Sequence, residues 1–400
     1  MRCRPTTCPA SPRCRRTRRS GRGTTPSPRP RSKGRPLSIH DSHADVLYDH
    51  VRTRVTGSLG HVTLARPRAL NALSLDMIRR ITSVLRAWES DSSVQHVLLD
   101  GEGPRGFCAG GDVKAVYDAM DGQHHVAQQL WREQHLLDAL IASYRKPVVT
   151  LLHGIVLGGG VGLGCHASHR LVTPTSAVGM PEVGIGLSPD VGALYILGRA
   201  PGQLGFHLAL TGTTTGPLGA VEVGLADTVV GSGSGDELTA ALSRGVDTDD
   251  AVRSAELGPG SLDAAAEPLL ASRDWIADCY AAPTVEGILT RLDARPEPEA
   301  AVAGARLREV APAAVKVTLR GLQRVVDGET LSQTLVGDLR RNVHFSFDPD
   351  FREGLRAAVI EKDRNPSWAI SLDQVTDERV ESYFAPIDGP DLAMDTVLDR

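Results

Sequence analysis

Apolar and polar positions follow two periods along the first half of the chain. Short apolar runs at residues 60–65, 95–100 and 148–152 are typical of buried β-strands. Between the first two runs, apolar residues recur at spacings of three and four, which predicts an amphipathic helix after Ser74, a suitable N-cap. A second, longer helix is predicted from about 126 to 144. Because strands and helices alternate, this half is predicted to form an α/β domain with a largely parallel, buried sheet.

The second half of the chain has a helical pattern throughout. Amphipathic segments occur at about 236–244, 283–293, 297–310, 313–326, 329–345 and 350–361. The sequence GSGSG at 231–235 is predicted to be a flexible linker. We therefore divide the chain into a tail over 1–40, an α/β core over 41–235 and a helical region over 236–400. Two uses of the helical region stay open, a lid over a functional site and a dimerisation surface.

The first forty residues have a composition unlike the rest. They contain twelve Lys and Arg, no Asp or Glu, and few apolar side chains, so they are predicted to be disordered. The remaining residues hold 32 basic against 48 acidic side chains, a net charge of about −16. The tail could bind nucleic acid or acidic membranes, or serve as an organelle transit peptide. We favour an unselected extension, because no amphipathic helix is visible in it, and we predict neither nucleic-acid nor membrane partners.

Several classes of protein are disfavoured by composition. No run approaches the ~18 consecutive apolar residues of a membrane helix, and the N-terminus lacks the apolar stretch of a secretory signal. The cysteines outside the tail, Cys108, Cys165 and Cys279, are widely scattered, and neither they nor the thirteen histidines show metal-ligand spacing. We therefore predict a protein of the cytoplasm, a reducing compartment, without a metal site.

Two glycine-containing turns are the first candidates for chemistry. The strand at 148–152 leads through Gly158, Gly159 and Gly160 into a helix, whose first N–H groups are unpaired and attract negative charge. The strand at 95–100 leads to a second turn, at 110–111, before Asp112, a suitable N-cap. The two turns could supply the two convergent N–H donors that an oxyanion hole requires. The alternative is a tight packing contact between a strand and a helix.

Two carboxylates follow these turns. Glu182 and Asp190 are eight positions apart, and each directly follows a proline. Acids on stiff turns near an anion site favour general acid–base or nucleophilic chemistry. The alternative is that each carboxylate caps a helix.

Four motifs then carry a family resemblance. RPRALNAL, GFCAGGD, HGIVLGGGVGLG and MPEVGIGLSPDVG, in this order and spacing, resemble the crotonase (enoyl-CoA hydratase/isomerase) superfamily over about residues 50–370. The segments at 315–320 and 350–368 are most similar to its branch of 3-hydroxyisobutyryl-CoA hydrolases. The resemblance implies a crotonase-like fold, a spiral of ββα units, with a helical C-terminal region.

The resemblance also implies roles for individual residues. The N–H groups of Gly111 and Gly159 would bind the thioester oxygen, and Arg66 and Arg68 would suit the phosphates of coenzyme A. Members that hydrate double bonds use two glutamates, and Gly162 stands in the place of the first, which argues against a hydratase. The hydrolase branch pairs the second glutamate, here Glu182, with an aspartate eight residues later, which Asp190 matches.

One position departs from the pattern of the hydrolase branch. That branch has a further glutamate in the helix before the 148–152 strand, where this chain has Gln134, a neutral amide that can still bind a substrate hydroxyl.

The expected activity is hydrolysis of an acyl-CoA thioester, first of all 3-hydroxyisobutyryl-CoA in valine degradation. No cofactor is expected beyond the coenzyme A of the substrate, and a homo-oligomer is possible. The alternatives are an enoyl-CoA hydratase or isomerase and a non-catalytic protein that binds acyl-CoA. Attack by the carboxylate and attack by water both stay open.

Overall fold

A six-stranded sheet is the base of the N-terminal part of the fold. The computed structural model describes residues 50–258, 260–389 and 391–394, and the predicted tail over 1–40 lies outside them. The strands of this sheet are arranged β1-β2-β3-β4-β6-β9. Only β1 runs antiparallel to its neighbour, and all other pairs are parallel. A second sheet, β5-β7-β8, lies beside it.

The strand bounds agree with the apolar runs of the sequence. The strands are β1 Val51–Thr56, β2 Leu59–Leu64, β3 His96–Gly101, β4 Val148–Leu152, β5 Ile155–Leu157, β6 His169–Val172, β7 Ala177–Gly179, β8 Thr214–Thr215 and β9 Thr228–Val229. The predicted parallel sheet is confirmed, because β2, β3 and β4 pair side by side in parallel.

The helices before the C-terminal region are α1 Leu75–Ser90, α2 Val113–Ala119, α3 His124–Ala142, α4 Gly159–Cys165, α5 Ala193–Leu197, α6 Leu204–Thr211 and α7 Pro217–Glu222. Both predicted N-caps are present. The Ser74 hydroxyl accepts from Met77 N at 3.3 Å, and the Asp112 carboxylate accepts from Ala115 N at 3.3 Å. These caps satisfy N–H groups that have no partner inside their helices, and so fix where α1 and α2 begin.

The C-terminal region is helical, as predicted, in the part of the chain that the structure describes. Its helices are α8 Ser234–Ser243, α9 Thr248–Ala255, α10 Pro268–Ala271, α11 Arg273–Cys279, α12 Val285–Asp293, α13 Pro298–Glu309, α14 Pro312–Val326, α15 Leu331–Phe345, α16 Pro349–Leu355 and α17 Asp377–Ser382. Helices α11 to α15 share one continuous apolar core with α1, α3 and the main sheet. The division into three domains stays a prediction.

The predicted flexible linker at 231–235 is wrong. Ser234 is buried and begins α8, and Gly231 N donates to Ala255 O at 3.3 Å. Leu238 and Leu242 of α8 then pack against Leu98 on the outer face of the main sheet. The glycines and serines form an ordered turn because the helix that follows buries an apolar face.

No helix in the described ranges is both long enough and apolar enough to cross a membrane.

Candidate active site

The glycine turn at 110–111 is attached to β5, which leads into the glycine turn at 158–160, and this attachment brings the two turns together. Cys108 N donates to Ile155 O at 3.2 Å, and Leu157 N donates to Cys108 O at 2.9 Å. The chain then reaches Gly111 beside the start of α4. A Cβ atom added to Gly159 would lie 3.1 Å from the backbone nitrogen of Gly111. The two candidate donors are therefore neighbours.

Both candidate N–H groups are free to bind a ligand. Leu73 bonds to the residues on either side of Gly111 and leaves the Gly111 N–H itself without a partner in the described part of the chain. The N–H of Leu73 donates to Gly110 O at 2.8 Å, and the carbonyl of Leu73 accepts from Asp112 N at 2.9 Å. The N–H of Gly159 is at the start of α4, where no helical acceptor exists. Within the described residues, neither N–H has a hydrogen-bond acceptor.

Glu182 lies against the glycine turn at 158–160. It begins a short 3₁₀ turn, Glu182–Ile185, and is only 7% exposed. Its Oε1 atom lies 2.6 Å from the position that a Cβ on Gly158 would occupy, so any side chain at 158 would displace the carboxyl. Burial, and then the nearby charge of Asp190, raise the pKa of Glu182 well above its usual value.

Asp190 lies between two helices that are far apart in the sequence, and one of them bonds to it. Asn342 of α15 donates to Asp190 Oδ2 at 2.6 Å, and His135 Nε2 of α3 lies 3.5 Å from the same oxygen. The next residue, Val191, has φ +54°, which is unfavourable for a β-branched side chain. Neighbouring groups therefore have to hold this turn in place.

Three elements hold the turn after Asp190. Asp338 of α15 accepts from Gly192 N at 2.7 Å, and His166 Nε2 at the end of α4 donates to Val191 O at 2.7 Å. Just before the turn, Thr318 of α14 donates to Ser188 Oγ at 3.2 Å. The C-terminal helices thus belong to the site.

Sequence reasoning missed these C-terminal residues. The signal was present, because Asp338, Arg341 and Asn342 are polar and lie on the buried face of the predicted helix at 329–345. Buried polar side chains require partners. The pattern therefore indicated contacts across the fold, although it did not name the partner.

Gln134, at the position where the hydrolase branch has a glutamate, lies beside the start of α4. It is 3% exposed, and its Nε2 donates to Gly159 O at 3.1 Å. A Cβ on Gly159 would overlap this amide nitrogen, and one on Gly111 would lie 3.9 Å from its Oε1. The amide therefore lies against both candidate donors and fixes the peptide of Gly159.

The two arginines differ from each other. Arg66 donates from Nη1 to Asp112 Oδ2 at 2.8 Å and to Ala72 O at 3.2 Å, so it links the end of β2 to the turn at 110–111. Arg68 is exposed on the 3₁₀ turn Pro67–Ala69. Binding of phosphates by Arg66 would compete with its ion pair, which makes Arg68 the better candidate of the two.

The position of Gly162 offers no space for a longer side chain. A Cβ there would lie 2.6 Å from Val191 Cβ and 2.7 Å from Asp138 Oδ2. A glutamate cannot be placed at 162 without moving its neighbours.

Among the described residues, no cluster of three or more His, Cys, Asp or Glu side chains is suited to a metal ion.

Known protein families and solved structures include relatives of this chain. A family described as enoyl-CoA hydratase/isomerase matches residues 59–384. The chain belongs to this family. Two solved structures are similar to this family member over 99% of their own length. A carnitinyl-CoA dehydratase from Mycobacterium thermoresistibile is 40% identical over 87% of the chain, with a TM-score of 0.82. An enoyl-CoA hydratase from Rhodobacter sphaeroides 2.4.1 is 39% identical over 86%, with a TM-score of 0.79.

Curated relatives carry a different name. The mitochondrial 3-hydroxyisobutyryl-CoA hydrolase of Mus musculus is 37% identical over 362 residues, which are 89% of this chain and 92% of the relative. The human protein of the same name is 34% identical over 88% and 92% of the two chains. The predicted crotonase-like fold and the resemblance to the hydrolase branch are both confirmed.

Proposed function

We propose that this protein hydrolyses an acyl-CoA thioester and that 3-hydroxyisobutyryl-CoA is its first substrate. One observation carries the proposal: the buried carboxyl of Glu182 lies against the glycine turn at 158–160, where the N–H groups of Gly159 and of neighbouring Gly111 have no acceptor among the described residues. Position 162, in contrast, has no side chain and no space for one. The names of the curated relatives support the acyl group.

The proposed reaction begins at the two N–H groups. The thioester oxygen accepts hydrogen bonds from Gly111 and Gly159, and these bonds strengthen as negative charge develops on that oxygen. Loss of one such donor typically costs ~3 kcal/mol in the transition state, or about a hundredfold in rate. The departing thiolate of coenzyme A is stable near neutral pH, so its departure requires no strong acid.

Glu182 acts as a carboxylate in both possible routes. It attacks the thioester carbon and forms an anhydride that water then cleaves, or it removes a proton from a water that attacks the carbon directly. Asp190, held by Asn342, orients that water or the hydroxyl group of the substrate. Because burial and the charge of Asp190 raise the pKa of Glu182, the reactive carboxylate forms at higher pH than it does in an ordinary glutamate.

A hydratase is the second candidate, because the two solved structures described above are named dehydratase and hydratase. Addition of water to a double bond needs one group to activate water and another to deliver a proton. Glu182 can fill one role. Position 162 cannot fill the other, since Asp138 and Val191 occupy the space around it.

Two assays on the purified full chain separate these functions. Release of free thiol from 3-hydroxyisobutyryl-CoA measures hydrolysis, and loss of enoyl absorbance from crotonyl-CoA measures hydration. We expect thiol release without hydration. Hydration without thiol release would replace the proposal by the hydratase, and inactivity in both assays together with binding of the esters would leave an acyl-CoA-binding protein.

Several finer predictions depend on this proposal. The place in valine degradation follows from the preferred acyl group, and a homo-oligomer is tested by mass measurement in solution. The relatives are named mitochondrial, so a mitochondrial location is the alternative to the predicted cytoplasmic one. Localisation of the full chain with and without residues 1–40 distinguishes the transit peptide from an unselected extension.

A further inference from the structure

Asp138 is a buried acid that has no role in the proposed reaction. It lies on α3, one turn after Gln134, and is 0% exposed. Within the described residues, neither of its carboxyl oxygens has a hydrogen-bond partner. An ionised carboxylate in this position would carry a large desolvation cost. Such a residue calls for an explanation.

The carboxyl of Asp138 lies near the turn that follows Asp190. A Cβ on Gly162 would lie 2.7 Å from Asp138 Oδ2 and 2.6 Å from Val191 Cβ, so Asp138 and Val191 border the same space beside Gly162. The absent side chain at 162 makes room for the carboxyl. Val191 has an unfavourable backbone conformation, φ +54°, and packing on its side chain helps to hold it there.

The surroundings of Asp138 already contain an excess of acids. The charges of Asp190 and Asp338 both act on it, and Asp338 forms an ion pair with Arg341. The titratable and charged groups around Asp138 are His135 on the same helix, Cys108, Asp190, His166, Asp338 and Arg341. Burial keeps Cys108 and His166 neutral near pH 7, because it raises the pKa of the thiol to about 12 and lowers that of the imidazole to about 4.

We propose that Asp138 is a positioning residue that works as a neutral acid. Its protonated carboxyl fills the space beside Gly162, supports Val191, and so keeps Asp190 aimed at the site without adding a third negative charge beside Asp190 and Asp338. Burial, and then those two carboxylates, raise the pKa of Asp138 well above its usual value, in agreement with this state. The catalytic consequence depends on the proposed function, whereas the protonation state does not.

The first test compares substitutions that keep or remove the shape of the carboxyl. Asp138→Ala removes the support of Val191, and a misplaced catalytic group lowers kcat by about tenfold or more. Asp138→Asn keeps the shape in neutral form, so most of the turnover should return. The matched control is Asp338→Asn, which should be damaging because it leaves the buried Arg341 without its ion pair. If Asp138→Asn is as inactive as Asp138→Ala, the carboxylate form is required and the proposal is wrong.

The second test needs no substrate, so it stands even if the thioester assay fails. The folded protein binds a proton at Asp138 that the unfolded chain releases above its ordinary pKa. The free energy of unfolding therefore decreases as the pH rises from the ordinary pKa of an aspartate through the raised pKa of Asp138. We expect the thermal midpoint of Asp138→Asn to fall less steeply with rising pH than that of the unsubstituted chain. Equal slopes would show that Asp138 is not held protonated.

Discussion

The two halves of the candidate site are supported from different parts of the chain. The donor half, Gly111 and Gly159, is held by Leu73 and by β5. The acid half, Glu182 and Asp190, is held from the C-terminal helices: Asn342 bonds to Asp190 across 152 positions. The turn that carries Glu182 is also covered from that side, since a Cβ on Gly186 would lie 2.5 Å from Asp350 O of α16.

The two halves are therefore positioned in different ways, one by the main chain and the other by side-chain contacts. Backbone N–H groups next to glycines are placed by the main chain itself, so the donor half needs few side-chain contacts. A carboxylate is placed by the groups that bond to it, and Asp190 is bonded by Asn342 of α15. The turn around Asp190 is held by Thr318 of α14, Asp338 of α15 and His166 of α4. Loosening of the C-terminal helices should therefore affect the acids before it affects the donors.

The largest expected effect is on the acid half itself. Glu182→Gln keeps the size of the side chain but removes its ability to attack carbon or to accept a proton. We expect kcat for thiol release to fall by about a thousandfold, while the dissociation constant for the CoA ester, measured by calorimetry, changes little. Unchanged turnover would remove Glu182 from the mechanism.

The donor half is tested by a matched pair of glycine substitutions. In Gly159→Ala the new methyl group overlaps the Gln134 amide and lies 3.1 Å from Gly111 N. We expect kcat to fall by about a hundredfold, as for loss of one oxyanion donor. In Gly111→Ala the nearest atom, Leu130 Cδ2, is 3.8 Å from the methyl group, so the loss should be smaller. Equal losses of kcat in the two variants would mean that crowding around Gly159 does not cause the loss.

The pH profile tests the coupling between the two acids. Because burial and the charge of Asp190 raise the pKa of Glu182, activity should rise with pH at values above those typical of a glutamate. Asp190→Asn removes one cause of that shift. The acidic limb of kcat/KM should therefore move to lower pH in this variant, even though its maximal rate falls. A limb that stays in place would show that the carboxylates act independently.

Much of the donor half could be predicted from the sequence. Strands β3 and β4 and the caps Ser74 and Asp112 follow from local patterns, because a few neighbouring residues determine each of them. The closeness of the two glycine turns is a hypothesis from the sequence, and it depends on the long-range pairing of the turn at 110–111 with β5. Glu182 and Asp190 could be selected as candidates by their turns and by the family resemblance. Their roles stay predictions.

The supports of the acid half could not be predicted in the same way. An asparagine at 342 or a threonine at 318 has no local pattern that names Asp190 or Ser188 as its partner, because only the folded chain brings them together. The same limit applies to Arg66, whose partner Asp112 lies 46 positions away. Local composition also led to the wrong prediction of a flexible linker at 231–235, where packing of α8 on the sheet orders the turn.

The smallest expected effect tests the long-range support itself. Asn342→Ala removes the amide that donates to Asp190 Oδ2 at 2.6 Å. The carboxylate then loses a buried hydrogen bond, and an unsatisfied buried group costs about 1–3 kcal/mol. We expect kcat to fall by about tenfold, since 1.4 kcal/mol corresponds to a factor of ten, with little change in KM. Steady-state thiol release measures both constants.

Gln323→Ala provides the matched control for this substitution. Gln323 lies on the neighbouring helix α14 and also donates its amide outside its own helix, to Pro283 O at 2.8 Å, but far from the carboxylates. Both variants should lose some thermal stability, and only Asn342→Ala should lose turnover. If the two variants lose turnover equally, general loosening of the C-terminal helices explains the effect. If neither does, Asp190 keeps its position without Asn342, and the acid half depends on the C-terminal helices for stability alone.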